Sequence, residues 1–578
     1  MMATAAEDVC SSRPISENTD TPVSFKSARK NQDRPWKLRF IYLQCYFLTI
    51  ATILGTGILG LPVTIARAGL LPFLISFLFG FLVQALLIYL FVDLLQRCRL
   101  AQLESMKPVE TERISLEDVC SEEHPTLNTE EEEYGEELEE AVDTGLLQRD
   151  ATARRHKEEP QPNLHVLGVL FLGKHTSRAF NFVLHFQFVS IGISYVLAGS
   201  EAYAALFHTS HIYVIPVFTW TLSFGILLAQ MIIQPITSLL TLLKGILLVI
   251  TVAVTFVVGS EVHQETTNDF TQIGKPFLMG TVALGGIVNV MPFLFSEISH
   301  AKTQVLWFRR AVLGGLATCT LLNILWCWAV LEIVPQMAME TVMEERVLKN
   351  STGQTEMTQS VHTFVFSNIS LEGSEKAGEI ATIPLTKIIT QRYRRFSWVA
   401  MLIQIFITIS ISVSFLVMGT AMKHTIDGLV STHWMENAEW MVRFSSRLLP
   451  HSSRWRTLAQ SLQHRRRFFS GFMSFLAFGV IFVVSASDPK GFFVMIDKVV
   501  SLSLNMEVGL FIFLMLRTSR SERFKHITVP LMVSERLFSL HWLLPVYFLF
   551  AVAYDIFQSV LEITVNVSLT LHANSSLI

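Results

Sequence analysis

A long apolar run with no access to water narrows what this chain can become. From Leu43 to Gly69 the sequence is apolar almost throughout, longer than the about 20 helical residues that cross a hydrocarbon core. Its middle holds Gly55, Thr56, Gly57, Gly60 and Pro62. Glycine and proline weaken a helix where lipid offers its backbone no other partner. Unpaired peptide groups in hydrocarbon are costly, so a break survives only where it lines a cavity or is buried in protein. The sequence therefore predicts a broken first span. Its loose N- and C-terminal helix ends would suit a zwitterion or an ion at mid-membrane. A continuous helix packed closely through its small residues is the competing expectation.

The rest of the chain extends the membrane reading. Only 16% of the 578 residues are charged, against about 25% in a soluble domain. Apolar runs recur near 38–66, 70–95, 178–206, 212–233, 236–260, 277–298, 309–334, 396–424, 471–487, 491–516 and 541–565. The expected fold class is an all-α integral membrane protein with eleven transmembrane helices. Residues 1–36 read as a disordered cytoplasmic tail without a cleavable signal peptide. Residues 97–162 form an acidic loop, notably Glu130 to Glu140, that reads as solvated and flexible.

Two independent patterns orient the spans. Arg443, Arg447, Arg454, Arg456 and Arg465 to Arg467 lie in the loop 426–470, and Arg517, Arg520, Arg523 and Lys525 lie between spans 10 and 11. Basic clusters mark the cytoplasmic side. Glycosylation sequons begin at Asn350 and Asn368, in the loop 335–395, and at Asn566 and Asn574, in the tail 566–578. An odd number of spans places all four outside or in a lumen. The N-terminus is thus expected inside and the C-terminus outside.

Other function classes find no footing. No G-x-S-x-G, H-E-x-x-H or phosphate-cradling G-x-x-x-x-G-K-[ST] occurs, so an enzyme is not expected. The six cysteines show neither metal-ligand spacing nor an evident disulfide pair, and no cofactor is implied. The basic residues lie next to spans, where they meet anionic lipid headgroups rather than nucleic acid.

The stretch Gly55-Thr-Gly-Ile-Leu-Gly-Leu-Pro62 resembles the first-span signature of the amino acid/auxin permease family, within the amino acid–polyamine–organocation superfamily. Gly168 to Gly173, Gly192-Ile-Ser-Tyr195 and the eleven-span plan are similar too. The resemblance implies a 5+5 inverted repeat, 37–260 against 277–516, with span 11 (541–565) added. It places substrate between broken spans 1 and 6. Span 6 supports this in its own right, with Gly285, Gly286, Asn289 and Pro292 close together.

In this reading a substrate carboxylate sits on the peptide N–H groups of Thr56, Gly57 and Ile58. Its ammonium group meets carbonyls near Ile53 and Leu54 and around Gly285 and Gly286. Tyr195 and Asn289 supply side-chain contacts. The expected function is ion-coupled transport of neutral amino acids by alternating access, with an amino acid sensor of the same fold as the alternative. Such a sensor would signal through a cytoplasmic partner on the acidic loop. Either suits a plasma or endolysosomal membrane; Leu146-Leu147 faintly resembles an endolysosomal sorting signal.

The coupling ion is read from interior polar residues. Sodium-coupled relatives carry an asparagine four residues before the first motif glycine, where this chain has Ala51. A proton is therefore expected rather than sodium, although Thr408, Ser410, Ser412 and Ser414 of span 8 offer hydroxyls to a cation. Hydroxyls that bond back to their own helix are the plain alternative. Lys244 in span 5 is the first proton candidate, because ionisable groups within a bilayer are costly and default to function. A lysine in this span replaces the sodium ion in some proton-driven members of the superfamily; snorkelling to the headgroups is the alternative. Glu507 in span 10, largely protonated unless paired, and His185 in span 3 are the other candidates. Asp93 and Glu297, at inner span ends, are expected in caps or ion pairs.

Overall fold

The computed structural model describes residues 35–121, 162–228, 230–262, 266–337, 369–446, 454–487 and 495–575. Most of the N-terminal tail, the loop residues 122–161 and the sequons at Asn350 and Asn368 lie outside the described residues, as do the side chains of Asn566 and Asn574. Among the described residues, eleven helices are long and apolar enough to span a membrane. They are span 1 (Leu38–Thr64), span 2 (Leu70–Ser105), span 3 (Lys174–Phe207), span 4 (His211–Leu228), span 5 (Leu239–Glu261) and span 6 (Gly274–Ser296). Span 7 (Lys302–Ile333), span 8 (Arg394–Thr432), span 9 (Arg465–Ser487), span 10 (Lys498–Ser519) and span 11 (Glu535–Thr564) complete the set. The chain is a multi-pass membrane protein.

The spans pack as two interlocked sets of five. Replacing each span by the one five places along carries most packed pairs onto other packed pairs, the packing of span 8 on spans 1 and 6 being an exception. Span 1 packs on span 7, and span 6 on span 2; span 3 packs on span 9, and span 8 on span 4. Span 5 packs on spans 1 and 8, and span 10 on spans 6 and 3. Spans 1 and 6, 2 and 7, and 3 and 8 contact their own counterparts. Five is odd, so chains crossing in alternation run counterpart spans in opposite directions: the repeat is inverted. The sequence keeps a trace of it, since Gly55 precedes Pro62 by as many residues as Gly285 precedes Pro292.

Burial ranks the spans. In the most apolar 18-residue stretch, 94% of span 1 and 83% of span 6 is buried, against 28% for spans 4 and 9. Spans 1 and 6 are therefore the inner pair, and spans 4, 9 and 11 face lipid. Between packed helices in lipid the hydrophobic effect supplies little, so close approach carries the association. Gly315 lies against Thr49, and Gly192 against Ile481.

Several helices outrun the expected spans. One runs Leu70–Ser121, well into the region expected as a flexible acidic loop. Another runs Ser397–Ser446 and a third Arg454–Ser487, across most of the expected basic loop. The cause is that Glu, Gln, Lys and Arg are good helix formers even where they end a hydrophobic run. Between spans 7 and 8, Ser370 caps the helix Leu371–Ala377 by accepting a bond from the Gly373 N–H at 3.0 Å. The following helix, Thr382–Arg392, buries Leu385 and Ile389, and the Ala381 N–H donates to the Leu59 carbonyl at 3.3 Å. Ion pairs Arg67–Glu372 (2.8 Å), Lys376–Glu372 (3.1 Å) and Lys275–Glu375 (2.5 Å) hold this segment over spans 1 and 6.

At the opposite end of the bundle, buried Asp93 pairs with Arg97 (3.0 Å) and Arg520 (3.5 Å), the ion pair expected of it. Arg520 also pairs with Glu535 and lies over the Phe538 ring. Gln96 exchanges two hydrogen bonds with the Leu531 backbone. The linker between spans 10 and 11 is thereby fastened to span 2. Glu297 has no ion pair among the described residues but is the cap residue at the end of span 6, as expected, its N–H donating to the Leu294 carbonyl at 3.3 Å.

The corner after span 1 requires its glycine. Gly69 has φ +84°, and a Cβ there would meet the Thr267 carbonyl oxygen and, at 2.7 Å, Asn268 Oδ1. Asn268 Oδ1 also accepts from the Leu71 N–H (2.9 Å), and Asp269 N–H donates to the Ala68 carbonyl (2.8 Å). Gly69→Ala is expected to lower stability by about 1 kcal/mol or more, through left-handed strain and the backbone clash. Gly471→Ala, where nothing lies within 4 Å, should cost nothing. Thermal unfolding of the two purified variants in detergent checks the contrast.

The Glu372 ion pairs predict a pH response. Hydrogen bonding from Lys376, and then from Arg67, holds the Glu372 carboxyl below its ordinary value of 4.5. A depressed carboxyl stabilises the fold above its unfolded value, and that contribution fades as pH falls through the folded one. Stability should therefore drop on acidification below about pH 4.5, and Glu372→Gln should flatten that part of the profile. Melting temperature against pH for the two proteins checks it; because the site is solvent-accessible the effect is small.

Candidate functional site

The interior site begins on span 1, at Ala51. Its carbonyl receives the Lys244 ammonium at 2.9 Å and the Ser414 hydroxyl at 3.0 Å. Lys244 Nζ also donates to Ser414 Oγ at 3.0 Å and to the Ser410 carbonyl at 3.4 Å. The lysine comes from span 5 and the serines from span 8, so one ammonium ties three spans together. Lys244 is fully buried, and no carboxylate pairs with it among the described residues. It does not snorkel: its nitrogen points inward to oxygens of spans 1 and 8.

Gly55 lies one helical turn beyond Ala51. A Cβ on it would meet Tyr195 Oη at 2.5 Å and Ser414 Oγ at 2.6 Å. Tyr195 is buried at 1% exposure, and the structure thus brings it and the glycine motif beside the lysine cluster. Leu54 is fully buried on the same helix. Gly57 faces Ala283 of span 6 and Asn323 Oδ1 of span 7, both 3.0 Å from the absent Cβ. Gly60 is filled by the Met279 side chain.

These contacts overturn the expected break in span 1. The helix Pro35–Thr64 is continuous through Gly55, Thr56, Gly57, Ile58 and Gly60, so no N-terminal half-helix end is free to hold a carboxylate. The physical reason is twofold. Pro62 falls in the last turn, where its missing N–H removes only the bond to the Ile58 carbonyl. The glycines are taken up by side chains of spans 3, 6, 7 and 8, which is the close-crossing use of small residues. Span 6 does pause, between the helices Gly274–Gly285 and Ile287–Ser296, but only at Gly286. Gly286 keeps a right-handed helical backbone (φ −57°, ψ −16°), and the Asn289 N–H donates to its carbonyl at 3.3 Å. Gly285 is closed by Leu504 Cδ2 at 2.5 Å.

The remaining candidates divide. Thr408 and Ser412 donate back to the Gln404 and Thr408 carbonyls of their own helix, each at 2.8 Å. Among the described residues Ser410 Oγ has no partner, though its carbonyl serves Lys244. His185 Nδ1 bonds the Asn181 carbonyl one turn back at 2.7 Å, the ordinary packing arrangement, and Nε2 has no partner among the described residues. Asn289 is buried, and neither amide atom has a partner among the described residues.

Four buried amides escaped sequence reasoning: Gln84, Gln187, Asn323 and Asn505, each with a side-chain atom unpartnered among the described residues. The signal was present, because an amide inside an apolar span lacks partners in lipid.

No family model matches the chain, and no curated protein is similar to it in sequence. Among solved structures, two crystal structures of the manganese transporter of Eremococcus coleocola share 11% identity at a TM-score of 0.46. One is in complex with an aromatic bis-isothiourea substituted compound, and the other is a mutant. They cover 90% and 92% of this chain, over 88% of their own. At that level nothing about cargo or mechanism passes from them to this chain.

The crowding at span 1 separates packing from hinge. Gly55→Ala pushes a methyl group into Tyr195 and Ser414 and should destabilise by about 1–3 kcal/mol. At Gly286 a Cβ would meet only Thr52 Cγ2, at 3.6 Å, so Gly286→Ala should be tolerated. The ratio of folded to aggregated protein after graded heating distinguishes the pair.

Proposed function

We propose that this chain is a secondary active transporter of neutral amino acids, working by alternating access and driven by protons. The single observation that carries the reading is Lys244. A buried ammonium with no carboxylate, bonded to oxygens of two other spans at the centre of an inverted repeat, is costly to keep for structure alone. The amino acid cargo rests on the likeness of Gly55–Pro62 to the amino acid/auxin permease signature.

Lys244 couples charge to shape. Hydrogen bonds from a charged donor contribute about 1.5–3 kcal/mol each. Loss of the proton weakens the bonds to Ala51, Ser410 and Ser414 together, freeing spans 1 and 8 from span 5. The nitrogen also stands where a sodium ion would have to meet the same oxygens, which favours a proton. Solute enters as span 1 separates from spans 6 and 7, where Gly57, Asn323 and Asn289 offer small size and unpartnered amide groups. Gly286, beside Thr52 of span 1, borders the same seam, and Tyr195 stands at the neighbouring contact of Gly55 with Ser414.

The test uses the full chain in proteoliposomes with a labelled mixture of neutral amino acids. An inward proton gradient should accelerate uptake, and replacing sodium with choline should not change it. Lys244→Ala should abolish the acceleration while retaining exchange. Acceleration that persists in Lys244→Ala removes the lysine from the coupling role. Saturable binding without flux in the unaltered protein would instead assign a sensor of the same architecture.

A further inference from the structure

Each repeat sends an ionisable side chain from its fifth helix into the interior. In the first repeat it is Lys244; in the second it is Glu507 of span 10, also 0% exposed. The two differ in their surroundings. Lys244 has three oxygen partners, whereas neither carboxyl oxygen of Glu507 has a hydrogen-bond partner among the described residues. Gln187 of span 3 faces the carboxyl without reaching hydrogen-bond geometry, and its own amide oxygen and nitrogen are buried and unpartnered. The backbone changes at the same point, from α-helix over Ser501–Met506 to wider π turns over Glu507–Ile512. Such turns concentrate at functional sites.

Charge compensation must come from somewhere. Past its first two turns span 3 carries His185, Tyr195, Glu201 and Tyr203; past its first turn span 11 carries His541, Tyr547, Tyr554, Asp555 and Glu562; span 2, packed on the last turns of span 10, carries Asp93 and Arg97. Span 6 contributes Lys275 at its start, and span 10 itself carries Lys498 and Arg517. None is an ion-pair or hydrogen-bond partner of Glu507. A low-dielectric interior disfavours an isolated carboxylate, and with no cation bonded to it a proton is the remaining counter-charge.

We propose that Glu507 and Gln187 form a proton-binding site separate from Lys244, its counterpart in the second repeat. The proton comes from water, bonds one carboxyl oxygen of Glu507 and returns to water; no other bond forms or breaks. Gln187 suits both forms. Its carbonyl accepts from the acid O–H, and its amide N–H₂ donates to the carboxylate, so a modest rotation serves either state. The site does not depend on what the chain carries.

Infrared difference spectroscopy of the full chain in lipid nanodiscs, titrated with buffer alone, tests the site without any transport. The unaltered protein should show a carboxylic acid C=O band that titrates and that Glu507→Gln deletes. Lys244→Ala should retain the band, which separates this site from the coupling lysine. Identical bands in the unaltered protein and Glu507→Gln would overturn the proposal. Should Glu507→Gln fail to fold, Gln187→Leu decides: it must displace the titration of one band by about a pH unit, tenfold in proton affinity. A titration unchanged by Gln187→Leu would equally refute the site. Since flux is not measured, failure here leaves the carrier reading standing, and failure of uptake leaves this one standing.

Discussion

In hydrocarbon a peptide group has no partner except its own helix or a neighbour pressed close against it, and the whole architecture follows from that constraint. It makes the chain a set of rods. It also means that the rods associate through contact distance and polar pairs rather than by shedding water. Span 1 expresses both consequences. Its ladder stays continuous, and its glycines let Tyr195, Ser414, Asn323, Ala283 and Met279 approach the backbone from four other spans.

The lysine cluster is the polar complement of that packing. Ala51 lies on the most buried span, and its carbonyl is the point where spans 1, 5 and 8 meet. An ammonium held by backbone oxygens needs no particular side chain on span 1, which suits a position occupied by alanine. The second repeat places a buried carboxyl on the corresponding span, and among the described residues no hydrogen-bond partner reaches it. The two halves therefore share a layout but not a charge.

Much of this was legible in the residues. The spans announced themselves because length and low charge are local properties. The interior position of Lys244 was legible as a cost. The state of span 1 was not. Gly55, Gly57 and Gly60 are equally suited to unwinding and to close crossing, and the choice is made by Tyr195, Asn323 and Met279, which are distant in sequence. Helical extensions beyond the membrane were missed for a related reason: acidic residues around 100–121 signal solvent, yet they are compatible with a helix.

An unbroken span 1 carries a mechanical implication. A rod severed at its middle lets its two halves swing separately, so an upper and a lower doorway answer to different hinges. In the proposed carrier, a rod in one piece would act as a seesaw about Ala51: tilting one arm outward would drive the other inward. Reciprocal opening would then need no signal passed between doorways, because the beam itself would forbid both standing ajar together.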